Sequence, residues 1–206
     1  MNLWVKKDGK VIRNRLRPLK DMNTIPFQDW SIFDSRHYYK PYCGMFYRTG
    51  FFELARGCHF NCSFCCTANY RKLYRGLGKF VRTRSIDKAF DEIDYIRAKY
   101  DLELIFFIDD NFLGMSRDRF DYFCQQYKKR INLPFYIQTR SEVVNEEYVK
   151  KLKDVNISTI AIGIEHGDEN LRKRYMNRRM SNEDLIRAFD IVHKYDIRST
   201  ANIIIG

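Results

Sequence analysis

The amino-acid sequence predicts an α/β fold built on a parallel sheet that closes into a barrel or partial barrel, and three observations carry that reading. Short, continuously apolar runs recur at 51–55 (FFELA), 104–108 (LIFFI), 134–138 (PFYIQ), 159–164 (TIAIGI) and 201–205 (ANIII), the pattern of strands buried on both faces. Between them lie stretches whose apolar residues recur at helical spacing. Strand and helix alternate at least four times, and right-handed crossovers between such units lay the strands parallel.

Residues 1–50 carry Pro18, Pro26 and Pro41 and the aromatic stretch PFQDWSIFDSRHYYKPY, which predicts an irregular lead-in packed across a domain that occupies 51–206. Within that domain the first helix runs from Ser85 to Tyr100. Ser85 is its N-cap, Asp87 lies in its first turn, and Ile86, Ala89, Phe90, Ile93, Ile96 and Tyr100 share one face. Ser116 opens the next, burying Phe120, Phe123, Cys124, Tyr127 and Ile131 and ending in Lys128 to Arg130, where positive charge meets the negative helix end. Asn145 opens a third, with Val149, Leu152 and Val155 inward. Ser181 and Asp184 form a capping-box start for a fourth, carrying Leu185, Ala188, Phe189, Val192 and Tyr195. The last apolar run reaches Ile205 with only Gly206 after it; a buried strand left without a neighbour there predicts a barrel truncated at its C-terminus.

With 206 residues, 45% hydrophobic and 31% charged, the chain has the make-up of a folded domain with a real core, and disorder is excluded. No apolar run approaches the roughly 20 residues of a membrane helix, and MNLWVKKDGKVIRNR has no signal-peptide core, so no membrane partner is expected and a cytoplasmic location is. The net charge of +11 is lopsided: residues 1–100 hold 20 basic and 9 acidic side chains, residues 101–206 hold 17 of each. A basic excess can attract phosphates. Here no basic run exceeds three residues and acids and aromatics are interleaved throughout, so a solvated surface accounts for the charge and nucleic acid is not an expected partner.

The six cysteines stand at 43, 58, 62, 65, 66 and 124, and their crowding between Cys58 and Cys66 points to metal and not to a disulfide framework. Cys58-His59-Phe60-Asn61-Cys62-Ser63-Phe64-Cys65 is a C-x3-C-x2-C array directly after the first strand. Three thiolates at that spacing can hold three corners of a [4Fe-4S] cube and leave its fourth iron open to another ligand. Structural zinc would need a fourth donor and usually shows paired C-x2-C groups. Cys66, beside Cys65, is poorly placed to share the metal; Cys43 and Cys124 read as core cysteines, and His59 as a loop residue.

This array, with Phe64 before its third cysteine, resembles the hallmark of the radical S-adenosylmethionine (radical SAM) superfamily. RGCHFNCSFC, FIDDNF and GIEHGDENLRK, together with the DWSIFD lead-in, resemble its cobalamin-binding branch and the methylthiotransferase relatives of that branch. In the cobalamin branch a separate cobalamin domain precedes the lead-in, and no D-x-H-x-x-G cobalamin signature occurs in this chain. The resemblance implies a TIM-like partial barrel whose Cys58, Cys62 and Cys65 hold the cluster, whose open iron takes the amino and carboxylate groups of S-adenosyl-L-methionine, and which receives its electron from an external donor of flavodoxin or ferredoxin type.

Ligands of parallel barrels sit at the C-terminal ends of strands, and the family pattern places the remaining contacts there. Asp109, Asp110 and Asn111 end the second strand and can accept from the methionine ammonium or a substrate hydroxyl. Gln138 and Arg140 end the third, where Arg140 can pair with the methionine carboxylate or sit in a surface salt bridge. Glu165 ends the fourth and can accept both ribose hydroxyls; His166 stands where relatives usually have serine. Ile204 is the apolar contact for adenine, with Asn202 where glycine is common, and Phe64 meets adenine through its backbone. The implied activity is reductive cleavage of S-adenosyl-L-methionine to a 5′-deoxyadenosyl radical acting on a small-molecule substrate, leading to cobalamin-dependent methyl transfer or rearrangement. A chain ending at Gly206 is expected to do this slowly. An RNA methylthiotransferase, and in another class a non-catalytic iron–sulfur electron carrier or zinc-binding module, remain open.

Overall fold

The computed structural model describes residues 2–205. It opens with an antiparallel hairpin, β1 (Trp4–Lys7) and β2 (Lys10–Arg13), whose Asp8-Gly9 turn takes left-handed backbone at both positions (φ 49° and 74°). Three single 3-10 turns follow, and each begins after an aspartate, Asp21, Asp29 or Asp34, whose side chain accepts the N–H two residues on. A second hairpin joins β3 (Tyr39–Tyr42) to β4 (Met45–Phe52). After β5 (Ala55–Arg56), the short helix α1 (Cys66–Leu73) and β6 (Arg82–Thr83), the regular alternation begins. It comprises α2 (Ile86–Tyr100), β7 (Leu104–Phe107), α3 (Arg117–Arg130), β8 (Phe135–Thr139), α4 (Glu146–Asp154), β9 (Ile157–Glu165), α5 (Glu169–Tyr175), α6 (Asn182–Lys194) and β10 (Arg198–Ile203).

The main sheet has the order β10-β9-β8-β7-β4-β3, parallel throughout except for β3 at its edge. It is curled into half a barrel. Tyr42 on β3 reaches β9, where its hydroxyl bonds Ser158 Oγ at 2.7 Å and also Thr159. One face of the sheet packs on the helices, and Phe123 is the hub of that core: its ring lies 5.7 Å from Phe90, 5.5 Å from Phe107, 5.2 Å from Phe112 and 6.0 Å from Phe135. Because side chains alternate along a strand, the neighbouring residues face the other way, and Phe51, Phe106 and Tyr136 form a half-buried ladder at 5.4 and 4.3 Å.

The helix starts fall where the sequence places them. Ser85 and Asn145 accept N–H bonds from Lys88 and Tyr148, and Ser181 and Asp184 complete a reciprocal capping box; Ser116 takes the N-cap position of α3 with no side-chain bond. Three expectations are corrected. The first strand of the domain is 45–52, not 51–55, since Thr49 to Phe52 are the residues in register with Leu104 to Phe107 and Ala55 pairs instead with Thr83. Residues 1–50 are irregular only in part, since 4–13 and 39–48 form antiparallel hairpins. The strand at 198–203 is not buried: as the outermost strand it leaves Ile203 57% exposed, and Ile204 just after it is 40% exposed.

The lead-in is fastened by a buried ion pair. Glu92 on α2, 1% exposed, accepts the backbone N–H of Gln28 at 2.6 Å and pairs with Arg84, 6% exposed. Removing one partner of such a pair strands the other charge in the interior. Glu92→Gln is therefore expected to destabilise the fold by about 3–5 kcal/mol, read as a lowered urea midpoint with an unchanged slope.

Candidate functional site

The loop 57–65 leaves β5 through Gly57, whose φ of 91° and whose closeness to the Phe80 carbonyl (2.9 Å from where a Cβ would stand) leave room only for glycine. Side chains from around the loop then satisfy its backbone. Asp110 accepts the Gly57 N–H at 2.9 Å; the Arg71 guanidinium on α1 donates to the carbonyls of Cys58 and Phe60, the latter at 3.0 Å; Asn177 donates to the Asn61 carbonyl at 2.7 Å. Ser63 binds the segment after α5 through its N–H to the Met176 carbonyl, 3.1 Å, and through its hydroxyl to that of Tyr175.

All six cysteines are free thiols, with Cys62 buried, Cys58 and Cys65 partly so, and Cys65 at the N-cap of α1. Burial pushes the Cys58 thiol up, and that of Cys124, in the core, up to about 12. Among the described residues no three His, Cys, Asp or Glu side chains converge on a point where one ion could sit. The array's three thiols match three corners of an iron–sulfur cube, whereas a tetrahedral zinc needs a fourth donor.

Arg140 follows β8 and reaches into this loop. It is 6% exposed, donates from Nη1 to Cys62 Sγ at 2.8 Å, and holds its Cζ 3.7 Å above the Phe60 ring. Glu142 pairs with its other edge. Burial, the largest single influence, would raise the Glu142 carboxyl, but the Arg140 hydrogen bond, a backbone N–H and the charges of Arg140 and Arg178 together outweigh it and hold the group below the usual carboxylate range.

Of the acids after β7, Asp109 is 2% exposed and both its oxygens accept the Leu54 N–H at 3.1 Å, so in this structure its carboxylate braces the chain entering the loop. Asn111 accepts the Thr139 hydroxyl at 2.9 Å, and Gln138 donates to the Asp109 carbonyl at 3.3 Å. Glu165 has left-handed backbone (φ 69°), a strained conformation for a side chain of its size and one that concentrates at functional sites. Its carboxylate folds back over Gly163, where a Cβ would come within 2.4 Å of Oε1. Burial pushes this carboxyl up, opposed by Arg178, which donates to it at 3.2 Å, and by Arg140.

These side chains surround a cavity of about 160 Å³ at the C-terminal ends of β8, β9 and β10, lined by Asp110, Gln138, Arg140, Glu165, Arg178 and Asn202 among others. Four of the residues expected at the site thus meet in one place. Asn111 lines a different cavity, of about 250 Å³, with Cys58 and His59. Ile204 reaches the site only through its backbone, donating its N–H to the Glu165 carbonyl at 2.9 Å, and Phe64 is 44% exposed. Sequence reasoning missed Arg178, 3% exposed with a buried Nε that has no partner, and Arg71. Neither lies in a periodic or motif-bearing stretch. The strand-end rule could not find Arg178, because it arrives on a loop; Arg172, fully buried, staples that loop through the carbonyls of His166, Gly167 and Met180.

The family model of the radical SAM superfamily matches residues 52–206. The chain belongs to the radical SAM superfamily. An uncharacterized methyltransferase of Pyrococcus horikoshii is 23% identical over 100% of this chain and 43% of its own length. The anaerobic magnesium-protoporphyrin IX monomethyl ester cyclase of Rubrivivax gelatinosus is 27% identical over 97% of this chain and 34% of its own. The chain thus spans less than half the length of these curated relatives. Among solved structures, the apo form of OxsB, a cobalamin-dependent S-adenosylmethionine radical enzyme, superposes with a TM-score of 0.70 at 21% identity, over 97% of this chain and 28% of that one. The curled sheet is the partial barrel of this radical SAM fold. No helix among the described residues is long and apolar enough to cross a membrane.

Burial of Asp109 in the radical SAM core has a consequence for stability. It pushes the carboxyl up to about 7, against the lowering effect of the Leu54 and Ala55 N–H groups. The folded state therefore holds a proton that the unfolded chain releases near pH 4, so this group's contribution to stability is fully present below pH 4 and is lost as pH rises to 7. Asp109→Asn, which keeps an acceptor for Leu54, is expected to gain on the parent by about 1.4 kcal/mol per pH unit across that window, measured by urea unfolding at pH 4, 5, 6 and 7.

Proposed function

We propose that this chain is the core of an enzyme that holds a [4Fe-4S] cluster on Cys58, Cys62 and Cys65 and reductively cleaves S-adenosyl-L-methionine to act on a small-molecule substrate, with methyl transfer or a related rearrangement as the outcome. The observation that carries this reading is the position of Arg140, whose guanidinium touches Cys62 Sγ at 2.8 Å and also lines the cavity of Glu165 and Arg178. One side chain therefore bridges a cluster ligand and a polar cavity. When bound, the cluster supplies an open iron for the amino and carboxylate groups of S-adenosyl-L-methionine and one electron for its sulfonium, leaving methionine and a 5′-deoxyadenosyl radical.

The protein's part is binding, orientation and exclusion of water. Glu165, half-buried and held by Arg178, accepts the ribose hydroxyls; Arg178, with an unused buried Nε, offers a cation to an anionic end of the ligand. Asp110 and Gln138 line the same cavity and take its ammonium and hydroxyl donors. Ile204 and the Phe64 backbone bound the adenine, while Asp109 and Asn111 fix the strand end from behind. Methyl transfer and cobalamin are suggested by the relatives, one named a methyltransferase and one described as cobalamin-dependent; cobalamin would be held outside these 206 residues, and a flavodoxin- or ferredoxin-type donor would deliver the electron.

Protein reconstituted anaerobically is expected to hold about four irons per chain. Alanine at Cys58, Cys62 or Cys65 should abolish this, whereas alanine at Cys43, Cys66 or Cys124 should not. Adding S-adenosyl-L-methionine should change the electron paramagnetic resonance spectrum of the reduced cluster. A full iron complement in Cys62→Ala, or a spectrum indifferent to the ligand, defeats the proposal, the second outcome in favour of an electron carrier. Glu165→Ala should leave iron intact and weaken S-adenosyl-L-methionine binding by about 10- to 150-fold, the loss of one charge-assisted hydrogen bond worth roughly 1.5–3 kcal/mol, measured by calorimetry.

A further inference from the structure

Two buried guanidiniums face the same cavity, and their hydrogen bonding separates them. Arg140 has each of its three nitrogens engaged, with three of its five N–H groups donating. Nη1 donates to Cys62 Sγ at 2.8 Å, Nε donates to Glu142 Oε2 at 3.3 Å, Nη2 pairs with Glu142 Oε1, and one face lies on the Phe60 ring at 3.7 Å. The Nε–Nη2 edge, one of the two with which arginine grips a carboxylate in a bidentate manner, is already occupied by Glu142, and Nη1 of the other is engaged by Cys62. Arg178 differs. Its Nη groups reach the Gly163 carbonyl and Glu165, and its buried Nε has no partner among the described residues.

We propose that Arg140 belongs to the cluster and not to the cosubstrate, as a positioning residue that directs an N–H donor and positive charge at the Cys62 sulfur and so raises the reduction potential of the bound cluster. The proposal rests on the reading of Cys58, Cys62 and Cys65 as cluster ligands. Reduction moves one electron from an external donor to the cluster, breaking no bond and moving no proton, and the added negative charge spreads onto the thiolates. A hydrogen-bond donor and a cation at one sulfur stabilise that more negative state, more strongly in a buried site than in water. Phe60 and Glu142 fix the guanidinium's plane and direction. Glu142 also opposes it, since its carboxylate faces the far side of the same guanidinium, so the two residues should shift the potential in opposite directions.

The test uses the 206-residue protein, reconstituted anaerobically and titrated with dithionite under electron paramagnetic resonance. Arg140→Met is expected to keep the parent's iron content and to lower the reduction equilibrium constant about tenfold, which is 59 mV for a one-electron couple. Glu142→Gln should move the midpoint the other way. Affinity for S-adenosyl-L-methionine should fall at least tenfold in Arg178→Met and less than fivefold in Arg140→Met. An unchanged midpoint in Arg140→Met together with lost affinity overturns the proposal and makes Arg140 a cosubstrate clamp. If Arg140→Met loses iron, Arg140→Lys, which keeps the charge and one donor, should hold the cluster at a midpoint below the parent's; a parental midpoint there, or loss of iron from both variants, also overturns it. A parent protein that binds no cluster defeats the underlying reading instead, and is recognised by its iron content before any variant is compared.

Discussion

A loop that must hold three thiols in fixed positions has no ladder or helix to satisfy its peptide groups, and the surroundings of residues 57–65 supply what regular structure would. Buried backbone N–H and C=O groups require partners, and here four residues supply them: Asp110 after β7, Arg71 on α1, Asn177 after α5, and Met176 through its carbonyl. Asp109 braces the approach to the loop at Leu54. The loop is thus part of the sheet's C-terminal edge in energetic terms, though only its first residues leave a strand. This explains why residues at the ends of β7 and β8 can act on it.

Charge is the second constraint, and it is balanced within the site itself. Arg140 and Arg178 bring two buried positive charges to the cavity; Glu142 pairs with the first from behind and Glu165 with the second inside it. Isolated, any of the four would be costly to bury; joined, they form two neutral pairs whose local fields still point in definite directions, beside the carboxylate of Asp110. The positive end of one pair points at Cys62. Glu165, on strained left-handed backbone and with its carboxylate seated over the bare Gly163, brings the negative end of the other pair to the cavity.

Legibility from the sequence followed the physics of each element. The helix starts were readable because capping is local: Ser85, Asn145 and the Ser181–Asp184 box need only their own next turn. The cysteine loop was readable because its spacing is itself the chemistry. The edges were not. The strand at 45–52 contains Arg48, whose ion pairs with Asp101 and Glu103 make a polar residue acceptable there, so the apolar run marks only its end. Asp8-Gly9 is a strong hairpin signal, yet every residue of the strands beside it is exposed and they carry no core periodicity. Residues delivered by loops, Arg178 above all, leave no local trace, since their burial is decided by a staple such as Arg172 several residues away.

The distribution of positive charge carries a related lesson about where function is encoded. The chain's excess of +11 comes from residues 1–100, and much of it lies in the open: Lys6, Lys7, Lys10, Arg13, Arg15 and Arg17 are all exposed around the first hairpin. Arg140, Arg172 and Arg178, which shape the site, lie in the half of the chain whose charges cancel. Exposed cations are screened over about a Debye length and contribute mainly long-range field. Buried cations act at contact distance, where a single hydrogen bond can orient a ligand or bias a sulfur. Net charge therefore describes the surface of this protein, and the chemistry of its site resides in the few arginines whose charge the folded interior neutralises and aims.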